Sequence, residues 1–213
     1  MFEKVIDQKT RNVLLKIIGG WSFTSSWYLG GGTALALQIG HRKSQDLDFF
    51  SREKFDGEIL LSEIGKTARL KVELLKEDTI VAYMNGVRFS LFYYPYRLIA
   101  GLKKWAGINL ADVRDIAAMK LVAISQRGVK RDFVDLYFIC KSGYTLEEIL
   151  GFYKKKYGKF AQNVYSVLKS LVFFEDAEDE TMPLMFEKVE WEEVKDYLVK
   201  AVKKLNEEKI FGE

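Results

Sequence analysis

The sequence predicts an α/β (α+β) fold, with a mixed sheet and flanking helices upstream and a helical half downstream. Three observations carry that expectation. Short stretches rich in alternating or β-forming residues recur through residues 26–94, as strands half-buried in a sheet should. Asn85-Gly86 falls between two of these stretches, and both residues tolerate positive φ, so at least one strand pair is an antiparallel hairpin. After Pro95 the pattern changes to apolar residues at three- and four-residue spacing, interrupted by Gly128, Gly143 and Gly158.

Taken in order, Val5, Ile6, Val13, Leu14, Ile17 and Ile18 recur at helical spacing and predict a helix over 3–18 that ends at Gly19-Gly20. Residues 26–29 form a short aromatic strand running into Gly30-Gly31-Gly32, and a helix starts at Thr33. A second strand spans 46–50 and a helix 57–67, followed by strands at 70–74, 79–84 and 87–94. Downstream helices are expected at 111–127, 130–141, 145–157, 159–173 and 189–208, with the acidic residues 175–180 as a solvated loop. The expected organisation is an α/β core over 1–105 and a helical region over 106–213 that packs on the core and completes its site.

Composition narrows the chemistry. A single cysteine, Cys140, excludes an internal disulfide and a multi-thiolate zinc site, and a single histidine, His41, excludes a His-rich metal centre. Catalysis must rest mainly on carboxylates, lysines, arginines and backbone amides. With 33 Lys+Arg against 30 Asp+Glu, the net charge of +3 gives little bulk attraction to nucleic acid, so any such partner is held by local cations. No apolar run reaches transmembrane length, and the acid at Glu3 with no following apolar core does not suit a signal peptide. The expected location is the cytoplasm, with no membrane partner.

Two constellations carry chemistry. In the first, a strand ends at Gly30-Gly31-Gly32 and a helix starts at once, so tight backbone approach and unpaired N–H groups coincide where a phosphate would bind. After thirteen intervening residues, Asp46 and Asp48 sit two apart on a strand and share one face. Two neighbouring carboxylates repel one another, and a divalent cation relieves that repulsion. Read apart, the glycines are an ordinary turn and the aspartates a solvated strand edge; together they suit phosphoryl or nucleotidyl transfer. In the second, Lys120 and Arg127 share a face of the 111–127 helix with apolar residues, either snorkelling to solvent or aimed at phosphates. Asp132 and Asp135 follow at i, i+3, pointing the same way, with pairing to Lys130 or Arg131 the plainer reading for Asp135.

Gly31-Gly32-Thr33-Ala34-Leu35, then Gly40-His41-Arg42, Ser44 and Asp46-Leu47-Asp48-Phe49, resembles the AbiEii/AbiGii toxin family within the DNA polymerase beta-type nucleotidyltransferase superfamily. The strand Gly86 to Tyr96 and the segment from Asp115 to Lys120 and on to Arg131-Asp132-Phe133-Val134-Asp135-Leu136-Tyr137 are similar to its later motifs. The resemblance implies a nucleotidyltransferase-like mixed sheet and transfer of NMP from an NTP substrate to an acceptor hydroxyl or phosphate, tRNA among the acceptors. It implies Gly31, Gly32 and Thr33 on the triphosphate, and Asp46 and Asp48 on Mg²⁺, with room for two ions. Arg42 and Ser44 would support the nucleotide end, while Lys120 and Asp132 would be active-site residues. An antitoxin partner, in a type IV toxin–antitoxin system, follows from the same resemblance.

One departure stands out. Many active members of the superfamily carry a third carboxylate on a later strand, but strand 87–94 has no acid, and Ser90 stands where one is expected. Glu73 is a substitute to consider, as is Asp132. The alternative is therefore a catalytically silent module of the same fold that binds nucleotide, RNA or a protein. A small-molecule kinase or aminoglycoside-type transferase would use the same metal logic. Among basic stretches, Tyr153-Lys154-Lys155-Lys156-Tyr157 reads as either an RNA contact or an exposed helix face, and Tyr93, Tyr94 and Tyr96 as base-stacking or packing residues.

Overall fold

The computed structural model describes residues 1–20, 26–161 and 163–210. A 3-10 turn at Glu3–Val5 leads into α1 (Gln8–Gly20), which runs through the Gly19-Gly20 pair where the periodicity had suggested an end. Next come β1 (Trp27–Leu29), α2 (Gly31–Ile39), β2 (Leu47–Ser51), α3 (Gly57–Gly65), β3 (Leu70–Lys76), β4 (Thr79–Met84) and β5 (Val87–Tyr93). Two short strands follow, β6 (Lys103–Trp105) and β7 (Ile108–Leu110). The helices α4 (Val113–Arg127), α5 (Lys130–Lys141), α6 (Leu146–Tyr157), α7 (Val164–Ser170) and α8 (Trp191–Ile210) complete the described chain. The chain divides into two compact units, Met1–Asp112 and Val113–Glu213.

The upstream unit is a seven-stranded mixed sheet in the order β3-β4-β5-β2-β1-β7-β6. β2 runs parallel to β5 and antiparallel to β1, and β1 runs parallel to β7. Alternation assigns the faces. Leu47 and Phe49 of β2, Phe89 and Leu91 of β5, and Ile80, Ala82 and Met84 of β4 are all buried on one face. The start of α3 approaches that face closely, with Gly57 against the Ile80 and Leu75 side chains. The other face carries Asp48, Ser90 and Arg88, and beside them a line of aromatic rings. Phe50 stacks on Tyr28 and Phe92 at centroid distances of 5.8 and 5.2 Å, and Tyr94 meets Phe50 and Tyr96 edge-on. Tyr94 and Tyr96 thus use ring edges and faces on one another and on Phe50, which is packing.

The expected hairpin at Asn85-Gly86 is present, with φ values of 51° and 74° at the two turn residues. The β6–β7 hairpin was not legible in the sequence. Its turn is Ala106-Gly107, with φ of 48° and 84°, and alanine at positive φ carries no sequence signal. Its strands are three residues each, too short for alternation to register.

In the downstream unit, α4 packs against α5, α6 and α7, and α5 against α8. Thr145 caps α6 reciprocally with Glu148. The helix expected over 159–173 is shorter. A 3-10 turn covers Gly158–Phe160, Gln162 lies outside the described residues, and α7 begins where the Asn163 side chain accepts the Tyr165 N–H. The acidic stretch is not simply a solvated loop. It contains a 3-10 turn with Ala177 buried, and it holds Lys130, whose Nζ donates to the carbonyls of Glu178 and Glu180 while its backbone N–H donates to Glu180 Oε2. Phe133, Phe174 and Trp191 form an aromatic cluster beside this contact.

Candidate active site

In the upstream unit the glycine turn and the Asp-x-Asp strand are immediate neighbours. The Gly30 N–H donates to the Asp48 carbonyl at 2.9 Å, tying the end of β1 to β2. Gly31 has φ +61°, and a Cβ there would lie 2.8 Å from Asp48 Oδ2. Only glycine lets the first turn of α2 approach that carboxylate so closely. The helix has no side-chain N-cap, so its first-turn amides bring positive potential to the place where Asp48 brings negative charge.

Thr33 is buried, and its hydroxyl donates to the Asp46 carbonyl and pairs with the Ser44 hydroxyl at 2.7 Å. What Thr33 offers a phosphate is therefore its backbone N–H. Ser44 is fixed a second time by its N–H, which donates to the Val5 carbonyl at 2.9 Å. Arg42 and His41 are buried in the same loop, and Arg42 Nη1 donates to the Lys43 carbonyl. The loop opens at Gly40, whose φ of +74° ends α2 and whose absent side chain makes room for the Phe2 ring. Asp46 immediately precedes β2, and Asp46 and Asp48 are both half-buried around the fully buried Leu47. The two carboxylates therefore point away from the core face together.

Ser90 is the strand neighbour of Asp48 across the parallel β2–β5 pair, so the position expected for a third acid is a buried hydroxyl. Arg88 Nη1 lies 3.5 Å from Ser90 Oγ, on the same face of β5. Glu73 does not substitute. It sits at a bulge on β3, three strand spacings or about 14 Å from β2, and pairs with Arg88 at 3.6 Å.

The downstream unit brings the second constellation together. Lys120 neither snorkels nor stands alone: its Nζ lies 2.7 Å from Asp132 Oδ1 and 2.5 Å from Asp135 Oδ2, and both aspartates are fully buried. Arg127 grips Asp132 with two parallel bonds of 2.7 and 3.1 Å. Asp135 was expected to pair with Lys130 or Arg131; it pairs with Lys120, because i, i+3 spacing aims both carboxylates at one point, while Lys130 is drawn to the 178–180 carbonyls. Burial pushes the Asp132 carboxyl up, but the Lys120 charge and the Arg127 contacts outweigh it and hold it below the usual carboxylate value. A second buried pair, Lys156 with Asp115 at 2.6 Å, joins α6 to α4. It takes Lys156 out of the lysine run, and Tyr153 and Tyr157 are buried as well, so that run is not an RNA contact in the form expected.

No group of three or more His, Cys, Asp or Glu side chains able to hold a metal occurs among the described residues. The donor set at Asp46 and Asp48 fits Mg²⁺, which needs one or two carboxylates and takes its remaining ligands from water and substrate phosphates. No helix among the described residues is long and apolar enough to cross a membrane.

The sequence profile of the nucleotidyl transferase AbiEii toxin family, type IV toxin–antitoxin system, matches residues 22–82 and 94–208. An uncharacterised protein of Aquifex aeolicus (strain VF5), aq_aa25, is 38% identical over 205 residues, covering 93% of this chain and 96% of that protein. The fold is similar to the crystal structure of JHP933 from Helicobacter pylori, with 18% identity, a TM-score of 0.55 and 96% of each chain covered. It is also similar to MenT4, the nucleotidyltransferase toxin Rv2826c of Mycobacterium tuberculosis H37Rv, with 15% identity, a TM-score of 0.50 and coverage of 92% of this chain and 86% of that one.

Proposed function

This chain belongs to the AbiEii nucleotidyl transferase toxin family, and from that membership we propose that it is a Mg²⁺-dependent nucleotidyltransferase. In this reading it transfers NMP from an NTP to an acceptor hydroxyl or phosphate, with tRNA as the acceptor class to test first, and it serves as a cytoplasmic toxin opposed by an antitoxin. The observation that carries the reading is the contact of the Gly31 turn with Asp48, which sets a helix N-terminus and a carboxylate pair within reach of one triphosphate.

Asp46 and Asp48 would hold the metal, which when bound would neutralise phosphate charge and orient the reacting groups. The amides of Gly31, Gly32 and Thr33 hold the triphosphate. Arg42 and Ser44 brace the loop at the nucleotide end through the Lys43 carbonyl and the Thr33 hydroxyl. Lys120 and Asp132 are the further residues that the family resemblance proposes for the site, and within the downstream unit Asp132 orients Lys120. The acceptor oxygen attacks the α-phosphorus, the bond to the β-phosphate oxygen breaks, and the acceptor proton leaves to solvent.

Incorporation of α-labelled NTP into a mixed tRNA pool with Mg²⁺ tests the proposal. Asp46→Ala and Asp48→Ala are each expected to lower it roughly a thousandfold; unchanged incorporation in either variant would overturn the assignment. Ser90 beside Asp48 favours one second reading, a silent module that binds nucleotide without turnover. Pyrophosphate release by the wild-type protein rejects that reading. Release only after Ser90→Asp supports it.

A further inference from the structure

We propose that the end of α6 and the start of α7 form a contact surface for single-stranded nucleic acid, built from Phe160 and Tyr165 with Lys154, Lys155, Lys159 and Lys169. Residues 149–174 contain five lysines and no Asp or Glu, which makes this the place where a chain of net charge +3 concentrates positive charge. The fold then sorts that stretch. Lys156, Tyr153 and Tyr157 turn inward, whereas Lys154, Lys155, Lys159 and Lys169 stay exposed. Lys154, Lys159 and Lys169 have no carboxylate partner among the described residues.

Two large rings sit in the same stretch and are left in water. Phe160 is 68% exposed and Tyr165 72% exposed, although the short α7 has buried positions at Val167 and Leu168. Apolar rings that the core does not take up present π-faces to a ligand. Lys159 Nζ stands 5.2 Å from the Phe160 ring centroid, and Tyr165 and Lys169 share a face of α7 at i, i+4. Exposed aromatics interleaved with exposed cations match the chemistry of an unpaired strand: bases stack on the rings while phosphates follow the lysines. A duplex hides its base faces, and an acidic peptide would use the lysines but leave the rings without work. None of these residues is assigned to transfer, and the inference does not depend on the transfer reading.

The test is fluorescence anisotropy of a labelled single-stranded RNA of mixed sequence and of its duplex, titrated with the full protein at several salt concentrations without NTP. Phe160→Ala with Tyr165→Ala is expected to weaken single-strand binding by about ten- to a hundredfold and to leave duplex binding nearly unchanged. Alanine at Lys154, Lys159 and Lys169 is expected to reduce the salt slope by about 2. All five positions are exposed, and circular dichroism of the variants verifies that the fold is kept. Unchanged single-strand affinity in both variants overturns the proposal. So does loss of a self-associated species in sedimentation velocity with RNA binding intact, since the rings would then serve a second copy of the chain.

Discussion

Two pairs of aspartates in this chain are treated in opposite ways. Asp46 and Asp48 are fixed through their main chain: the Thr33 hydroxyl holds the Asp46 carbonyl, and the Gly30 amide holds that of Asp48. Their carboxylates stay half-buried at the edge of a helix N-terminus. Asp132 and Asp135 are fixed through the carboxylates themselves, fully buried against Lys120 and, for Asp132, Arg127. The first arrangement leaves the carboxylates half-buried, where solvent reaches them. The second binds α4 to α5 around the buried Lys120, so loss of one member leaves an opposite charge buried.

The sharpest way to break this comparison is to remove one carboxylate from each pair. Asp135→Asn is expected to cost about 3–5 kcal/mol in urea unfolding, because the buried Lys120 loses a charged partner. Asp48→Asn is expected to cost no more than about 1 kcal/mol, since relief of repulsion from Asp46 offsets lost contacts. Equal losses would mean that the two pairs are both structural.

A smaller effect is expected at the glycine turn. Gly31→Ala meets both positive φ and the Asp48 carboxylate, so it should destabilise by about 1–2 kcal/mol and weaken NTP binding further than the stability loss explains. Calorimetric titration with a non-hydrolysable NTP, beside urea unfolding, separates the two effects; unchanged binding would remove the turn from the site.

The smallest effect concerns acid. The Asp132 carboxyl is held below its ordinary value of 3.8, so its contribution to stability is complete above that value and is lost as pH falls through the lower folded-state value. Asp132→Asn should therefore show a shallower loss of Tm between pH 5 and roughly pH 2 than the parent. A parallel acid profile for Asp132→Asn would show that the cations do not hold this group ionised.

Much of the fold and the candidate site was legible in the sequence for local reasons. Alternation in 70–74 and 79–84, the Asn85-Gly86 turn and the glycine breaks at 128, 143 and 158 depend on backbone sterics and periodicity within a few residues. The glycine turn and the Asp-x-Asp pair were found the same way. Missing were the β6–β7 hairpin, whose alanine turn has no residue code, and the burial of Lys156 and Tyr153, which depends on a carboxylate 41 residues away and on helix packing. The exposed rings at Phe160 and Tyr165 were equally hidden, because an aromatic residue in sequence reads as core.

By itself, then, the sequence determined the class of fold, the chemistry excluded by one histidine and one cysteine, and the residues proposed to hold a metal and a triphosphate. These are properties of residue type and near-neighbour spacing. The tertiary structure decided which charges are buried in ion pairs. It set Ser90 beside Asp48, joined Asp135 to Lys120 and turned Lys156 inward. Each outcome follows from strand register or helix packing, and those are fixed only when distant segments compete to bury the same surface.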